Sequence, residues 1–253
     1  MTSRRMALAN IKSDSIKTAN AGLWLNKFLG EPNAKETDIK RKLVEGAIRQ
    51  KTGSDGKDLY KEFFARWEKL LTDCGAKTRQ ARVRGRLIVG LGSESVLETS
   101  IALHHTYGVP CIPGSALKGL ARHFADAKRV EGWNDGHTKI VFGNDKKSDD
   151  AVAGYITFFD ALYVPNSGEK DQALHADVMT VHHSDYYMRG NVAPADWDDP
   201  SPVPFISATG TYLLALAGPE DWINPTFRLL ELALDEEGIG AKTSSGYGRM
   251  KFI

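Results

Sequence analysis

The hydrophobic period of the chain changes near residue 80. Before that point apolar side chains recur at helical spacing. Leu23, Trp24 and Phe28 form one stripe, and Ile39, Leu43 and Ala47 a second. Tyr60, Phe63, Phe64, Trp67, Leu70 and Leu71 form a third, at i, i+3, i+4, i+7. Gly53-Ser54-Asp55-Gly56 and Gly75 interrupt these runs. The pattern predicts a helical first third, residues 1–80, whose aromatic rings serve mostly as packing.

After residue 80, Arg82, Arg84 and Arg86 alternate with Val83, Gly85 and Leu87, the period-two pattern of a half-buried strand. That strand is predicted to end at Gly90-Leu91-Gly92. Three arginines on one face are costly to bury unpaired, so they are expected to face water, an acidic surface or a phosphate chain. Pro113-Gly114-Ser115 announces a helix with Ser115 as its N-cap, and Leu117, Leu120, Ala121 and Phe124 are its apolar stripe. Lys118, Arg122 and Arg129 share its polar face, where like charges at i, i+4 repel by a few tenths of a kcal/mol that a bound anion would remove.

Further on, residues 154–160 read as a strand buried on both faces, and residues 211–217 as another. The Asp-, Pro- and Tyr-rich stretch 161–206 between them reads as a long inserted loop with a functional or partner-binding role. Asn224 with Pro225 opens the next predicted helix; Phe227, Leu230 and Leu234 face inward and Gly238 closes it. Asp235-Glu236-Glu237 stands at the wrong end of that helix for its dipole, which calls for a basic neighbour. A last strand covers 247–253. From residue 80 the order is strand, helix, strand, strand, helix, strand, the ferredoxin-like split βαβ order that is also the order of the RRM. The expected fold is therefore an α+β, RRM-like domain over 81–253 with insertion 161–206, and a helical extension over 1–80 packed against it.

The 253 residues suffice for one sizeable core with an extension. No stretch approaches the ~18 apolar residues of a membrane span, and no apolar segment follows Arg4-Arg5 as in a secretory signal. Cys74 and Cys111 are too few for a disulfide framework and lack metal-ligand spacing. A cytoplasmic protein without cofactor or metal is expected. The net charge is +1, yet residues 1–90 hold 20 Lys+Arg against 10 Asp+Glu while residues 91–253 hold 13 against 22. A basic half can serve phosphates while an acidic half meets basic protein neighbours; the bland alternative is that both are solvated surface.

The stretch with most chemistry is Gly238-Ile239-Gly240-Ala241-Lys242-Thr243-Ser244-Ser245-Gly246-Tyr247-Gly248, four glycines, a lysine and three hydroxyls between a helix and a strand. Glycines let a backbone come close to a phosphate, and free N–H groups, hydroxyls and an ammonium supply donors. It is not a Walker A loop, since Gly and Lys are not adjacent and the helix precedes the loop. The alternative is a tight helix-to-strand connector.

This loop resembles the C-terminal glycine-rich loop of the RAMP (repeat-associated mysterious protein) superfamily of CRISPR subunits. Leu103-His104-His105-Thr106-Tyr107-Gly108-Val109-Pro110, followed by Ile112-Pro113-Gly114-Ser115-Ala116-Leu117-Lys118-Gly119, is similar to the family's "IPGSSLKG" element, with Ala116 in place of the second serine. Phe142-Gly143, the strand from Gly154 to Ala161, Asp177-Val178-Met179 and Tyr186-Tyr187 extend the likeness. It narrows to the family of the sixth subunit of the type III-B (Cmr) effector, over roughly residues 85–253. The resemblance implies a non-catalytic, RNA-binding subunit near the 3′ portion of the crRNA, contacting other RAMP subunits of the complex, and leaves contact with target RNA open. Carried onto this chain, the RNA-binding residues would be Ser115, Lys118 and Arg122 together with Gly240, Lys242, Thr243, Ser244, Ser245, Gly246 and Tyr247, to which the strand adds Arg82, Arg84 and Arg86. The helix start and the glycine-rich loop are expected to approach each other. Asp177 is weighed against a cleaving loop aspartate of a related backbone subunit, and a partner-binding or turn role is preferred for it.

Two other readings stay open. Some RAMP relatives are metal-independent endoribonucleases that use a histidine as general base, for which His104, His105, His182 and His183 are the candidates. A subunit that bridges proteins without touching RNA is the third. Among His and Cys no zinc spacing occurs.

Overall fold

Each apolar stripe of the first third becomes a helix: α1 (Ala21–Lys27), α2 (Thr37–Ile48) and α3 (Leu59–Asp73). Asn20 caps α1 by accepting from the Leu23 amide, and Asp58 caps α3 by accepting from the Lys61 amide. Trp24, Leu43, Ala47, Tyr60, Phe64 and Leu71 are buried, so these rings and aliphatics are packing residues; Leu70, assigned to the same stripe, is 49% exposed. The computed structural model describes residues 19–28, 37–50, 58–95, 97, 99–127, 130–144, 151–181, 193, 195–196 and 200–253.

The strands that follow are β1 (Lys77–Val83), β2 (Cys111–Ile112), β3 (Thr157–Phe158), β4 (Ala161–Tyr163), β5 (Leu174–Val181), β6 (Ser201–Ala208), β7 (Thr211–Ala217) and β8 (Met250–Phe252). Helices α4 (Gly114–Asp126), α5 (Asp135–Phe142) and α6 (Glu220–Glu236) and a 3-10 turn (Thr243–Ser245) complete the order. The main sheet is antiparallel in the order β2-β4-β7-β1-β8, with β3 also on β7. Without the short edge strand β2, the order of β1, β4, β7 and β8, with α4 and α6 in the two crossovers, is the ferredoxin-like one. The α+β class read from the sequence is the class observed.

The two crossover helices pack on each other. Leu117, Ala121 and Phe124 of α4 join Phe227, Leu230 and Leu234 of α6 in one core with Leu214 and Leu216 of β7. At about 25 cal/mol per Å2, each of these buried Leu and Phe side chains contributes on the order of 2 kcal/mol against its exposed state. Tyr60 donates its hydroxyl to the Tyr163 carbonyl at 2.5 Å, which ties α3 to β4. Burial raises the Tyr60 hydroxyl far above its ordinary pKa.

Register defines two ends of this sheet. Arg82 pairs with Thr211, Tyr163 with Tyr212 and Val83 with Met250, so β1 and β4 end, and β7 and β8 begin, at one end. Lys77 pairs with Leu216 at the other. The first end, called the loop end below, receives the link from α6 to β8 and the ribbon β5–β6.

Local expectations were overridden at several points. β1 stops at Val83, seven residues before Gly90: Arg84 and Gly85 bend away, and Leu87 bridges to Ala208 at the base of the ribbon instead of continuing along β7. Residues 154–160 are not a doubly buried strand. Only Thr157–Phe158 is a strand, exposed and half-buried, and the strand buried on both faces is Ala161–Tyr163.

The stretch 161–206 is not a structureless loop, since it contains β4, all of β5 and most of β6. Its prolines argued against a strand, but in a two-stranded ribbon each strand keeps one unpaired edge, where a residue without an N–H is tolerated. Pro202 and Pro204, opposite Thr180 and Val178, lie two residues apart and so direct their nitrogens to the same edge.

Ser115 is not an N-cap. Pro113 holds that place, and the Asp160 carboxylate accepts the Gly114 amide at 2.7 Å from across the fold, placing a negative charge on the positive end of α4. Helix α6 starts at Glu220 and not beside Asn224: Pro219 is its N-cap, Glu220 and Asp221 supply the first-turn carboxylates, and Pro225 is accommodated inside. The basic neighbour expected for its acidic C-terminal end does exist. Arg84 pairs with Asp235 at 2.5 Å, and Arg249 donates to the Asp235 carbonyl at 2.9 Å.

Candidate nucleic-acid interface

The glycine-rich loop folds back on the segment that continues β1. Ala241 donates to the Ile88 carbonyl at 2.7 Å, Gly248 to the Arg86 carbonyl at 2.8 Å and Ile239 to the Gly248 carbonyl at 2.9 Å. These close approaches explain two of the glycines. A Cβ on Gly240 would stand 2.1 Å from the Ile88 oxygen, and one on Gly248 2.0 Å from the Ile239 oxygen. Both also have positive φ, 91° and 74°. Much of the glycine content is therefore spent on the chain's own backbone, as a tight connector requires.

What remains faces outward. Lys242 is in the left-handed region at φ 59°, an uncommon conformation for a residue with a Cβ. Its amide and those of Thr243 and Ser244 donate to no acceptor among the described residues. Ser244, Ser245 and Gly246 are exposed, and Gly246 has no atom within 4 Å of where a Cβ would be, at φ 89°. Three amides without an acceptor, three hydroxyls and an ammonium in one turn form a donor-rich surface suited to an anion.

The arginines of β1 and its continuation line a concavity of about 310 Å3 beside this loop, bounded also by Glu169, Thr209 and Gly210. Arg86 reaches Glu169 at 2.9 Å, and the guanidinium holds that carboxyl below its usual pKa. Arg84 goes to Asp235, as above. Arg82 is exposed and forms no ion pair among the described residues. Lys251, which the sequence reading passed over, lies directly opposite Arg82 across β1 and β8; only strand register reveals that pairing.

The ribbon closes the other side. Tyr247 donates its hydroxyl to the Asp177 carboxylate at 2.8 Å and its ring lies near Phe205, centroids 6.2 Å apart. Asp177 thus belongs to a strand, not a turn, with a hydroxyl partner from the glycine-rich loop. Burial, reinforced by this carboxylate, pushes the Tyr247 hydroxyl up to about 12.

The start of α4 does not join this site. Gly114 packs on the backbone of Phe158 and Phe159, and Phe159 hydrogen-bonds Ala215, near the end of β7 remote from the glycine-rich loop. Ser115 is exposed there and Lys118 lies half-buried one turn further along. It is the far half of α4 that approaches the loop end, where His123 lies 4.0 Å from Glu237; Arg122, half-buried, contacts Asp126 at 3.8 Å. The expectation that the helix start and the loop meet is corrected, because β2 leads into α4 from the opposite end of the sheet.

His104 sits among rings, 5.1 Å from both Phe63 and Tyr107, and its Nδ1 accepts the Thr106 amide at 3.3 Å. Burial lowers its pKa, so it is a packing histidine that resists protonation. His105 contributes its carbonyl to the Asn20 side chain. His182, His183, Tyr186, Tyr187 and Arg129 lie outside the described residues. Among the described residues no helix is long and apolar enough to cross a membrane, and no cluster of His, Cys, Asp and Glu could hold a metal ion.

Comparison with known proteins places this geometry. The model of the RAMP superfamily matches residues 80–251. The CRISPR system Cmr subunit Cmr6 of Pyrococcus furiosus is 32% identical, over 76% of this chain and 73% of that protein. A chain in the cryo-EM structure of the type III-B Cmr-beta bound to cognate target RNA superposes with a TM-score of 0.65 at 22% identity, covering 85% of this chain and 72% of that one, a likeness of fold.

Proposed function

The chain belongs to the RAMP superfamily, in the family of Cmr6, and on that premise we propose that it is a non-catalytic subunit of a type III-B CRISPR effector that holds the backbone of the guide RNA. The observation that carries the reading is the turn Lys242–Ser245, with its unpartnered amides, hydroxyls and ammonium, in a loop whose Gly248 is hydrogen-bonded to Arg86 of the arginine-lined concavity. Donors of this kind match phosphate oxygens and read no bases, as a guide of changing sequence requires. Ion pairs with Asp235 and Glu169 hold Arg84 and Arg86 at the mouth of the site, and phosphates would compete with those carboxylates for them. The same membership suggests neighbouring RAMP subunits, and target RNA on the guide, as further partners. Lys118 and Arg122, the latter beside Asp126, would add contacts from α4, separate from the loop.

The test is binding of the full chain to two unrelated labelled single-stranded RNAs across a salt series, with the RNA afterwards run on a denaturing gel. The reading expects sequence-indifferent, salt-sensitive binding, intact RNA, and weaker binding after Lys242→Gly, which removes the ammonium and relieves the left-handed backbone at once. Discrete cleavage products lost on mutation of the four histidines would replace it with a ribonuclease. Unchanged assembly on guide RNA after charge reversal at Lys118, Arg122 and Lys242 would leave a protein-bridging subunit.

A further inference from the structure

We propose that Arg82 and Lys251 form a second phosphate site, on the open edge of the sheet, for the same RNA strand; this rests on the guide-binding reading above. A like-charge pair stands in cross-strand register. Arg82 of β1 stands directly opposite Lys251 of β8, so both side chains leave the same face. Directly opposed residues have their Cβ atoms about 5 Å apart, and like charges there destabilise the sheet. Both residues are exposed, and neither forms an ion pair or side-chain hydrogen bond among the described residues.

The described surroundings offer no relief. On its other side Arg82 pairs with Thr211, which is neutral and buried. One level along the same face, Ile253 donates its amide to the Gln80 carbonyl, and neither side chain of that pair carries a charge. On the next level toward the loop end Arg84 donates its amide to the Arg249 carbonyl, and both of those arginine side chains are already committed to Asp235. Among the described residues the fold thus supplies a carboxylate to Arg84 and Arg86 and none to Arg82 and Lys251. An anion between two such cations removes their repulsion and gains two charge-assisted contacts.

The anion is the phosphate of a chain already held nearby. Arg82 lines the concavity shared by Arg84 and Arg86, and Arg86 is hydrogen-bonded through its carbonyl to Gly248 of the glycine-rich loop. From Arg86 to Arg82 is four residues, at most about 14 Å of chain. A strand that follows the glycine-rich loop past Arg86 therefore reaches the Arg82–Lys251 edge within that span. An edge lysine can also serve only to discourage edge-to-edge pairing of sheets, but that role gives no reason for an arginine directly opposite.

The deciding experiment measures single-stranded RNA binding by the full chain against salt for wild type, Lys251→Met, Arg82→Met and Lys242→Gly, with thermal melting of each in low salt. The proposal expects Lys251→Met and Arg82→Met to melt no lower than wild type, because repulsion is removed. It also expects each to bind RNA several-fold more weakly, with a log–log salt slope shallower by about 0.7. If Lys242→Gly weakens binding while both Met variants keep the wild-type affinity and slope, the edge site is overturned and the guide-binding reading stands. If wild type binds no RNA, both fall.

Discussion

The Tyr247 hydroxyl donates to the Asp177 carboxylate at 2.8 Å, so one hydrogen bond joins the glycine-rich loop to the ribbon across 70 residues of sequence. Everything at the loop end depends on such long-range ties, and each can be cut separately.

Tyr247→Phe removes that tie without changing the ring. The loss is expected to be about 1 kcal/mol in urea denaturation, as for a hydrogen bond to a charged acceptor at a partly solvated site. Amide exchange in β5, Leu174–Val181, should accelerate. The same variant has a pH signature. The folded-state pKa of Tyr247 is raised from 10.0 to about 12, so its contribution is complete below pH 10 and is lost as pH rises toward 12. Wild type should therefore lose stability over that window faster than Tyr247→Phe.

Asp160→Asn should destabilise the fold by about 1 kcal/mol, since the charge on the positive end of α4 is lost and an amide replaces the acceptor. Ser115→Ala, the substitution that the local sequence would single out as uncapping the helix, should cost less than about half of that. Equilibrium denaturation of the two variants measures the contrast.

Gly240→Ala and Gly246→Ala separate the two roles of glycine in the loop. The first drives a methyl into the Ile88 carbonyl, 2.1 Å away, and should unfold the loop end with a loss of several kcal/mol, on the order of the largest single-substitution effects. The second meets nothing within 4 Å and pays only for its φ of 89°, about 1 kcal/mol. Thermal melts should rank them in that order.

His104 and His175 have lowered pKa values, burial being the largest cause for each. The unfolded chain takes up their protons first, so stability is intact above pH 6.5 and is lost as pH falls through that value. His104→Gln should flatten its share of the loss in urea titrations between about pH 7 and pH 5.

Much of the architecture could be read along the chain because it is locally encoded. The stripe containing Tyr60, Phe64 and Leu71 is a helix by its period, and residues 211–217 are a strand, a short apolar run buried almost throughout. The site was legible in its parts: the loop 238–248 and the alternating Arg82, Arg84 and Arg86 were found from residue type and spacing. Their separate fates were not, because Asp235 and Glu169, which neutralise Arg84 and Arg86, lie 151 and 83 residues further along the chain than the arginines they meet.

The sequence by itself determined the periods, the order of elements and so the split βαβ class, and the glycine- and lysine-bearing turn. Only the tertiary structure decided that Asp160 rather than Ser115 caps α4, that Pro202 and Pro204 sit in a ribbon, that the helix start lies away from the loop, and that Lys251 faces Arg82. The physical reason is common to all four. Propensity and period act within a few residues, whereas caps, edges and cross-strand charges are fixed by register between segments that meet only when the sheet closes.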